Sequence, residues 1–579
     1  MNKKTTACPL DCYDACEIVY DEGKILGAKN GHTKGFLCPH LHHYEKHEQI
    51  KEARYKGEAI SMEQALDKLV EMLRESGAQN TLHYRGSGNF GLMQEVSDHF
   101  FASFGTTLTN GSLCDGAGAA GILQGRGSNK NMPLSEIEKS EVVILWGRNP
   151  HVTNSHLLPL LKDKTLIVID PRKIESARNA ALHIQLKPHG DLYLALLLCR
   201  FLHIENEYDE EYLQEYASEY EELYELTQTV RIKATLEDID VTLGQIGMLL
   251  ELVKGKKTAI VCGVGIQKYS DGADIMRAID AFAVMLGLFG KEGCGVAYMG
   301  ESKEGIESPF KTQVKRVSKV NTDFSAFSSV FIQGANPLSQ MPDTQRVIRS
   351  MESVANVIYF GLYENETSQR ADLVIPAKNF LFKEDIRTSY AHNAMLFMPQ
   401  ILESEYGISE YELSRYLCEA FEIEIESEEY YLSHFKNFAV QKIDGSWQVE
   451  SREEIPYQNG FDTDDGEFCF LEEYDNDFDM NKNMFLLTPK SPKSLNSQFY
   501  REKYVYLHKE AGFLENQEVQ ISSEHGKIVL KVKIDATIRK DCVLLYSGTP
   551  GVNMLTSSKH SLDGKNAIYQ ENKVEVKAI

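Results

Sequence analysis

Three unbroken apolar runs set the reading of the first half of the chain: Val142-Val-Ile-Leu-Trp146, Thr165-Leu-Ile-Val-Ile169 and Thr258-Ala-Ile-Val-Cys262. Strands covered on both faces read this way, whereas half-exposed strands alternate. Each run ends in turn residues: Gly147-Arg-Asn149-Pro150, Asp170-Pro171-Arg172 and Gly263-Val-Gly265. Helical periodicity opens at Asp191, between the second and third runs, and again at Asp274, after the third. Strands alternating with helices predict a doubly wound parallel sheet that binds ligands outside the strands' carboxyl ends. Upstream, Ser61-Met-Glu-Gln64 has the spacing of a capping box. The apolar series Met62, Ala65, Leu66, Leu69, Val70 and Leu73 then predicts a helix. Leu82 to Asn89 predicts a strand entering a glycine turn, and Phe331-Ile-Gln-Gly334-Ala-Asn336-Pro337 repeats the strand-turn idea. Residues 402–480 are strongly acidic and predict helix plus a surface insertion. From Met484 onward, short alternating runs separated by turns predict an all-β unit.

The totals narrow the class. A chain of 579 residues is expected to form three or four domains. A formal charge of −24 argues against a nucleic-acid surface. No apolar run is long enough to span a membrane. The first residues show neither an apolar export segment nor a twin-arginine pair, so the expected location is cytoplasmic.

The chemistry is concentrated at the start. Cys8, Cys12, Cys16 and Cys38 form a C-x3-C-x3-C-x21-C pattern. Three thiols in one short loop, with a fourth returning after an excursion, suit a cubane cluster with one thiolate per iron. A four-cysteine zinc site and a disulfide pair are the alternatives left by spacing alone. His40, His42, His43 and His47 follow and read as a solvated turn. Cys114 stands alone in Thr109-Asn-Gly-Ser-Leu-Cys-Asp-Gly-Ala-Gly, where small residues allow a close backbone approach. A lone cysteine is ordinarily a small buried hydrophobe. Asp170, just past a strand, is placed to hold a ribose or a guanine.

The four cysteines resemble the amino-terminal motif of the molybdopterin oxidoreductases, a family that includes formate dehydrogenases, periplasmic nitrate reductases and polysulfide reductases. Other segments resemble that family in the same order. Trp146-Gly-x-Asn149-Pro, Asp170-Pro-Arg172 and Lys187-Pro-His-Gly190-Asp191 look like its guanine-dinucleotide segments. Gly265 falls in the third strand turn, and Asn336 falls in a second-half segment suggesting a pseudo-repeat for a second pterin. Thr488, Lys490, Asn496, Gln498, Asn553 and Asn566 look like its carboxy-terminal dinucleotide-binding barrel.

The resemblance implies a 4Fe–4S cluster on Cys8, Cys12, Cys16 and Cys38, and molybdenum or tungsten held by two molybdopterin guanine dinucleotides. It implies two-electron chemistry at the metal, cycling between M(VI) and M(IV), with the cluster taking electrons singly. Cys114 matches the metal-ligand position, with Asp115 its competitor; a soft thiolate suits a metal already held by sulfur. Arg277 matches a substrate-anchoring arginine of formate dehydrogenases. The implied fold is α/β and multi-domain: a 4Fe–4S domain (1–53), an α/β molybdopterin domain (54–110 with 303–400), a Rossmann-like unit (111–302), the acidic segment (401–482) and a double-psi-like barrel (483–579). Two positions depart from the pattern. His40 replaces a lysine between cluster and pterin, and Asp115 stands where formate dehydrogenases have histidine. Reduction of a small oxo- or sulfur-containing substrate is therefore the leading expectation and formate-type oxidation the second. Non-redox hydration and a non-catalytic electron-transfer or scaffold subunit are the alternatives. The sequence shows no flavin or nicotinamide domain, so electrons are expected to pass to an outside protein or a small carrier.

Overall fold

The computed structural model describes residues 3–42, 44–88, 90–217, 219–474 and 483–579. The three apolar runs are neighbouring parallel strands. Val142–Trp146 pairs with Thr165–Ile169 on one side and Thr258–Cys262 on the other. Leu182–Ile184 and Gly295–Ala297 complete a five-stranded parallel sheet. All five residues of both Val142–Trp146 and Thr258–Cys262 are buried. The direction of strand order reverses between these two strands, and there the chain is tightest. A Cβ at Gly263 would stand 1.8 Å from the Gly147 carbonyl oxygen. Only glycine lets the two strand ends meet, and the crevice opens beyond them.

A second sheet has eight strands. In order they are Arg316–Ser318, Thr107–Asn110, Thr81–Arg85, Ser329–Gln333, Asn356–Gly361, Leu373–Pro376, Ala53–Tyr55 and Glu58–Ile60. The first six run parallel; Ala53–Tyr55 pairs antiparallel to them and Glu58–Ile60 antiparallel to it. Its strands come from either side of the five-stranded unit, which is inserted between them in sequence. The helix Met62–Ser76 covers this sheet and carries the complete Ser61–Gln64 capping box.

At the amino end, Lys4–Ala7, Glu17–Asp21 and Lys24–Gly27 form a small antiparallel sheet. At the carboxyl end six strands, from Met484–Leu487 to Lys573–Ala578, close into a barrel around Leu486, Val505, Val519, Val532 and Val543.

Two sequence readings are corrected here. The small residues after Cys114 belong to the helix Ala117–Arg126 and serve packing against protein. A Cβ at Gly121 would meet the Ala273 carbonyl at 2.2 Å, and one at Gly125 would meet the Phe468 ring at 2.6 Å. The acidic segment is more than a surface insertion. After the helices Glu410–Ala420 and Glu428–Lys436, its later part buries Tyr457, Phe461, Phe468, Phe470 and Leu471 in the core of the five-stranded unit. The expected end of that segment, at 482, lies outside the described residues.

Candidate functional site

One cavity collects chain from every unit. It is lined by the cysteine loop, by turns after strands of both sheets, and by one mouth of the barrel. The loop Cys8–Cys16 leaves the first strand and returns to the second, closed by the Cys8 N–H donating to the Cys16 carbonyl at 2.9 Å. Cys38 is brought back by a tight excursion: a Cβ at Gly27 would clash with Gly35 and Phe36 at 2.7 Å. All four thiols line the cavity and are free. Burial, and then the neighbouring Cys38, push the Cys8 thiol up to about 12. Cys12 and Cys16 are likewise raised, by burial first and by the Asp14 carboxylate next. Thiolates here need a cation to form.

Spacing also bears on which cation. A tetrahedral zinc with Zn–S of about 2.3 Å holds its sulfurs about 3.8 Å apart. Among the described residues, the single trio of ligand atoms mutually within 4.8 Å is Asp14, Cys16 and His156, so no three of the four motif sulfurs are that close. The four thiols are not drawn together at tetrahedral zinc spacing. His156 braces the cysteine loop: Nδ1 bonds the Asp14 carboxylate at 2.9 Å and lies 3.5 Å from the Cys16 sulfur, and Nε2 bonds the Phe36 carbonyl at 3.2 Å.

The expected solvated histidine turn is only partly that. His42 is exposed, His40 lines the cavity, and His47 stacks on Phe499 with ring centroids 4.1 Å apart. His43 lies outside the described residues. Burial and then the neighbouring His47 lower the His40 imidazole's proton affinity.

Cys114 lines the cavity and is half-buried. Its N–H donates to Ser112 Oγ at 2.9 Å, and its carbonyl accepts from Gln267 Nε2 at 3.0 Å. Asp115 faces elsewhere. Its carboxylate accepts from the Tyr298 hydroxyl at 2.7 Å, and it is absent from the cavity lining. Burial raises its proton affinity.

The five-stranded sheet contributes Asn149, Asp170, Arg172, Asp191 and Gly265 to the lining. Asn149 Oδ1 closes its turn by accepting from the His151 N–H at 3.1 Å. Desolvation pushes Asp170 up to about 7 and Asp191 up to about 6. Each is held by one donor, the Arg172 N–H at 2.8 Å and the Trp146 indole at 2.7 Å. A Cβ at Gly265 would stand in open space, so the backbone there can approach a ligand. Arg172 also reaches the barrel, pairing with Asp535 at 2.9 Å. The barrel contributes Thr488, Lys490, Asn496, Gln498 and Asn553. Lys490 bonds Asn496 Oδ1, and Asn553 Nδ2 donates to the Ser339 and Gln340 carbonyls at 2.7 and 3.0 Å.

Three expected site residues sit elsewhere. Arg277 donates to the carbonyls of Cys469 and Phe470 at 2.9 and 2.5 Å, outside the cavity lining. Its fork is occupied by backbone, so it anchors the acidic segment. Asn566 is wholly buried, and its Oδ1 accepts from the Ala117 N–H at 2.5 Å. It caps the helix after Cys114, whose first amides need an acceptor. Asn336 lines an adjoining cavity that shares Gly88, Gly334, Ala335, Gln340 and Gln498 with the first. Its amide is used by Glu366, Ser497 and Thr367. Sequence reasoning missed Lys268, Lys319, Tyr84, Arg148 and Tyr569, all in the lining. A lysine directly after a strand-end glycine turn was the one available signal, at Lys268.

Two doubly wound units and a barrel close on one cavity lined by the four cysteines of the amino-terminal motif. Residues 59–419 match the molybdopterin oxidoreductase family, and residues 484–572 match the molydopterin dinucleotide binding domain. The chain belongs to the molybdopterin oxidoreductase family. It is 28% identical to the probable oxidoreductase YyaE of Bacillus subtilis over 69% of this chain and 66% of that protein. It is 24% identical to formate dehydrogenase H of Escherichia coli over 67% of this chain and 64% of that protein. These matches span about two thirds of the length of the relatives. In fold it is similar to acetylene hydratase from Pelobacter acetylenicus, with a TM-score of 0.80 at 15% identity over the whole of both chains. Among the described residues no helix is long and apolar enough to cross a membrane.

Proposed function

We propose that the chain is a redox enzyme holding a 4Fe–4S cluster on Cys8, Cys12, Cys16 and Cys38, and molybdenum or tungsten on two molybdopterin guanine dinucleotides. The observation that carries this reading is that the four-thiol cage and the Cys114 thiol open into one cavity shared by both sheets and the barrel. When bound, the metal supplies two-electron chemistry and the cluster one-electron transfer. The residues present fit such a group: four thiols not drawn to zinc spacing, a soft ligand, strand-end glycines and carboxylates for a guanine, and an adjoining cavity for a second dinucleotide arm.

The protein's own work is to bind, orient and exclude water. Cys114 presents its thiol while Gln267, Ser112 and Asn566 fix the loop and the helix that follows. Asp170 and Asp191 offer acceptors to guanine N–H donors in the turn zone of the five-stranded sheet. Asp115 is turned onto Tyr298 and does not line the cavity. The reaction favoured is reduction of a small oxo- or sulfur-containing substrate, with electrons arriving from an outside protein or a small carrier. Formate-type oxidation loses its arginine, because Arg277 is engaged by backbone carbonyls.

Elemental and nucleotide analysis of anaerobically purified protein tests this. The expected content is about four iron per chain, together with molybdenum or tungsten and guanine nucleotide. Stoichiometric zinc without iron would end the cluster assignment, and absence of guanine nucleotide would end the dinucleotide assignment.

A further inference from the structure

We propose that Lys268 is the cation that anchors a small anionic substrate, a carboxylate or an oxyanion, beside Cys114. The proposal rests on the reading of Cys114 as the metal-facing thiol, and it fills the role that Arg277 cannot.

Lys268 follows the 3-10 turn Val264–Gln267, at the end of the strand Thr258–Cys262. Gln267 ties this turn to the Cys114 loop. It donates to the Cys114 carbonyl at 3.0 Å and accepts from the Gly118 N–H at 3.1 Å. The neighbouring Lys268 is thereby held in register with the thiol. Its carbonyl accepts the Gln570 N–H at 3.1 Å, which fixes the turn to the barrel end.

The side chain lines the cavity, with its ammonium 4.8 Å from the centre of the Tyr569 ring. Among the described residues it makes no ion pair. The ionisable groups that face it are Cys114, Asp115 and Lys490. Asp115 is committed to the Tyr298 hydroxyl, and Lys490 to Asn496. Burial, before any neighbour, pulls the Lys268 ammonium down to about 8. A cation drawn out of water without a counter-ion is costly unless a ligand brings one.

Tyr84 offers a second donor. It is buried, lines the same cavity, and its hydroxyl finds no partner among the described residues. The Lys268 point charge can pair with an oxyanion without the in-plane geometry that a guanidinium fork requires.

The test uses the native, metal-loaded protein with Lys268→Met and Lys268→Arg variants, and azide as the anionic probe. Metal and guanine nucleotide per chain are measured first. Azide affinity is then read from the metal centre's absorption or paramagnetic signal, with KM and kcat alongside. The expected result is full metal and nucleotide in Lys268→Met, with azide bound about tenfold or more weakly. KM should rise more than kcat falls, and Lys268→Arg should recover most of the affinity. Unchanged azide affinity in Lys268→Met overturns the proposal, as does a metal-loaded native protein that ignores azide. Loss of a guanine nucleotide in Lys268→Met overturns it by moving the lysine onto a cofactor phosphate. Native protein lacking metal and nucleotide fails at the earlier step, and the lysine assignment falls with it.

Discussion

The helix that carries the Cys114 loop is pinned by one buried ion pair, and breaking that pair should be costly. Arg126, in its last turn, meets Asp280 on the facing helix Gly272–Met285. Arg126 is 1% exposed and Asp280 0%. The contact is bidentate, with Nε 2.7 Å from Oδ2 and the second nitrogen on Oδ1. Phe289 covers the guanidinium at 4.6 Å and Tyr457 at 5.8 Å. Asp280→Asn keeps the shape but leaves a buried cation facing a neutral acceptor, a change costing about 3–5 kcal/mol. For a unit of about 150–250 residues, each kcal/mol shifts the midpoint by roughly 2–4 °C, so a fall of about 6–20 °C is expected. Replacing both partners, Arg126→Met with Asp280→Leu, removes the uncompensated charge and should restore most of the loss. Thermal unfolding of the parent, Asp280→Asn and the double variant, read by circular dichroism, measures this. A single variant within about 1 kcal/mol of the parent, or a double variant as unstable as Asp280→Asn, would refute the reasoning.

Cys114→Ala should change the metal's X-ray absorption and lower turnover by more than the roughly 10–100-fold typical of a supporting residue, whereas Asp115→Ala should stay inside that range; the reverse pattern moves the ligand to Asp115. Asp170, raised to about 7 by desolvation, should make GDP binding to cofactor-free protein pH-dependent. Guanine N–H donors need the ionised carboxylate, so affinity should fall as pH drops below about 7 and be flat above it; calorimetry on Asp170→Asn should show the fall moved to below about 6, where Asp191 takes up its proton. With a net charge of −24, reduction by a protein carrier with a basic docking face should slow as salt rises, and NADH alone should support no turnover; fast NADH turnover by homogeneous protein would count against an external carrier.

The fold class was legible because both sheets are buried on two faces. Burial on both sides forces unbroken apolar runs, and those runs mark the strands with little ambiguity. Strand-end positions were legible for a related reason: a ligand crevice needs glycine or a short acid where strands end, as at Gly147, Asp170 and Gly263. The acidic segment misled because its charge is spread over helices that do face solvent. The few aromatics that matter, from Tyr457 to Leu471, are separated by Asp, Glu and Gly and show no period. Their burial comes from packing on Phe289 and on the helix Ala117–Arg126, which sequence spacing does not encode. Arg277 misled in a different way. Its position in the helix fits a cavity-facing arginine, but the returning acidic segment places two carbonyls in its reach first.

The Cys114 loop shows why the geometry of a proposed ligand resists reading from one sequence. Nothing within the loop beyond Ser112 fixes the cysteine. Gln267 holds its carbonyl from 153 residues away, and Asn566 caps the following helix from 449 residues beyond Ala117. Tyr298 draws Asp115 aside from 183 residues away. Each restraint comes from a different strand end or barrel turn, so the thiol's direction follows from how the units dock. A substitution in any of these three side chains therefore acts on the thiol without touching it. Gln267→Ala leaves the Cys114 carbonyl and the Gly118 N–H without partners, a change worth about 1–3 kcal/mol of local order for each buried group. Such a variant should keep its iron and guanine nucleotide, which depend on other loops, while the metal's ligand geometry broadens.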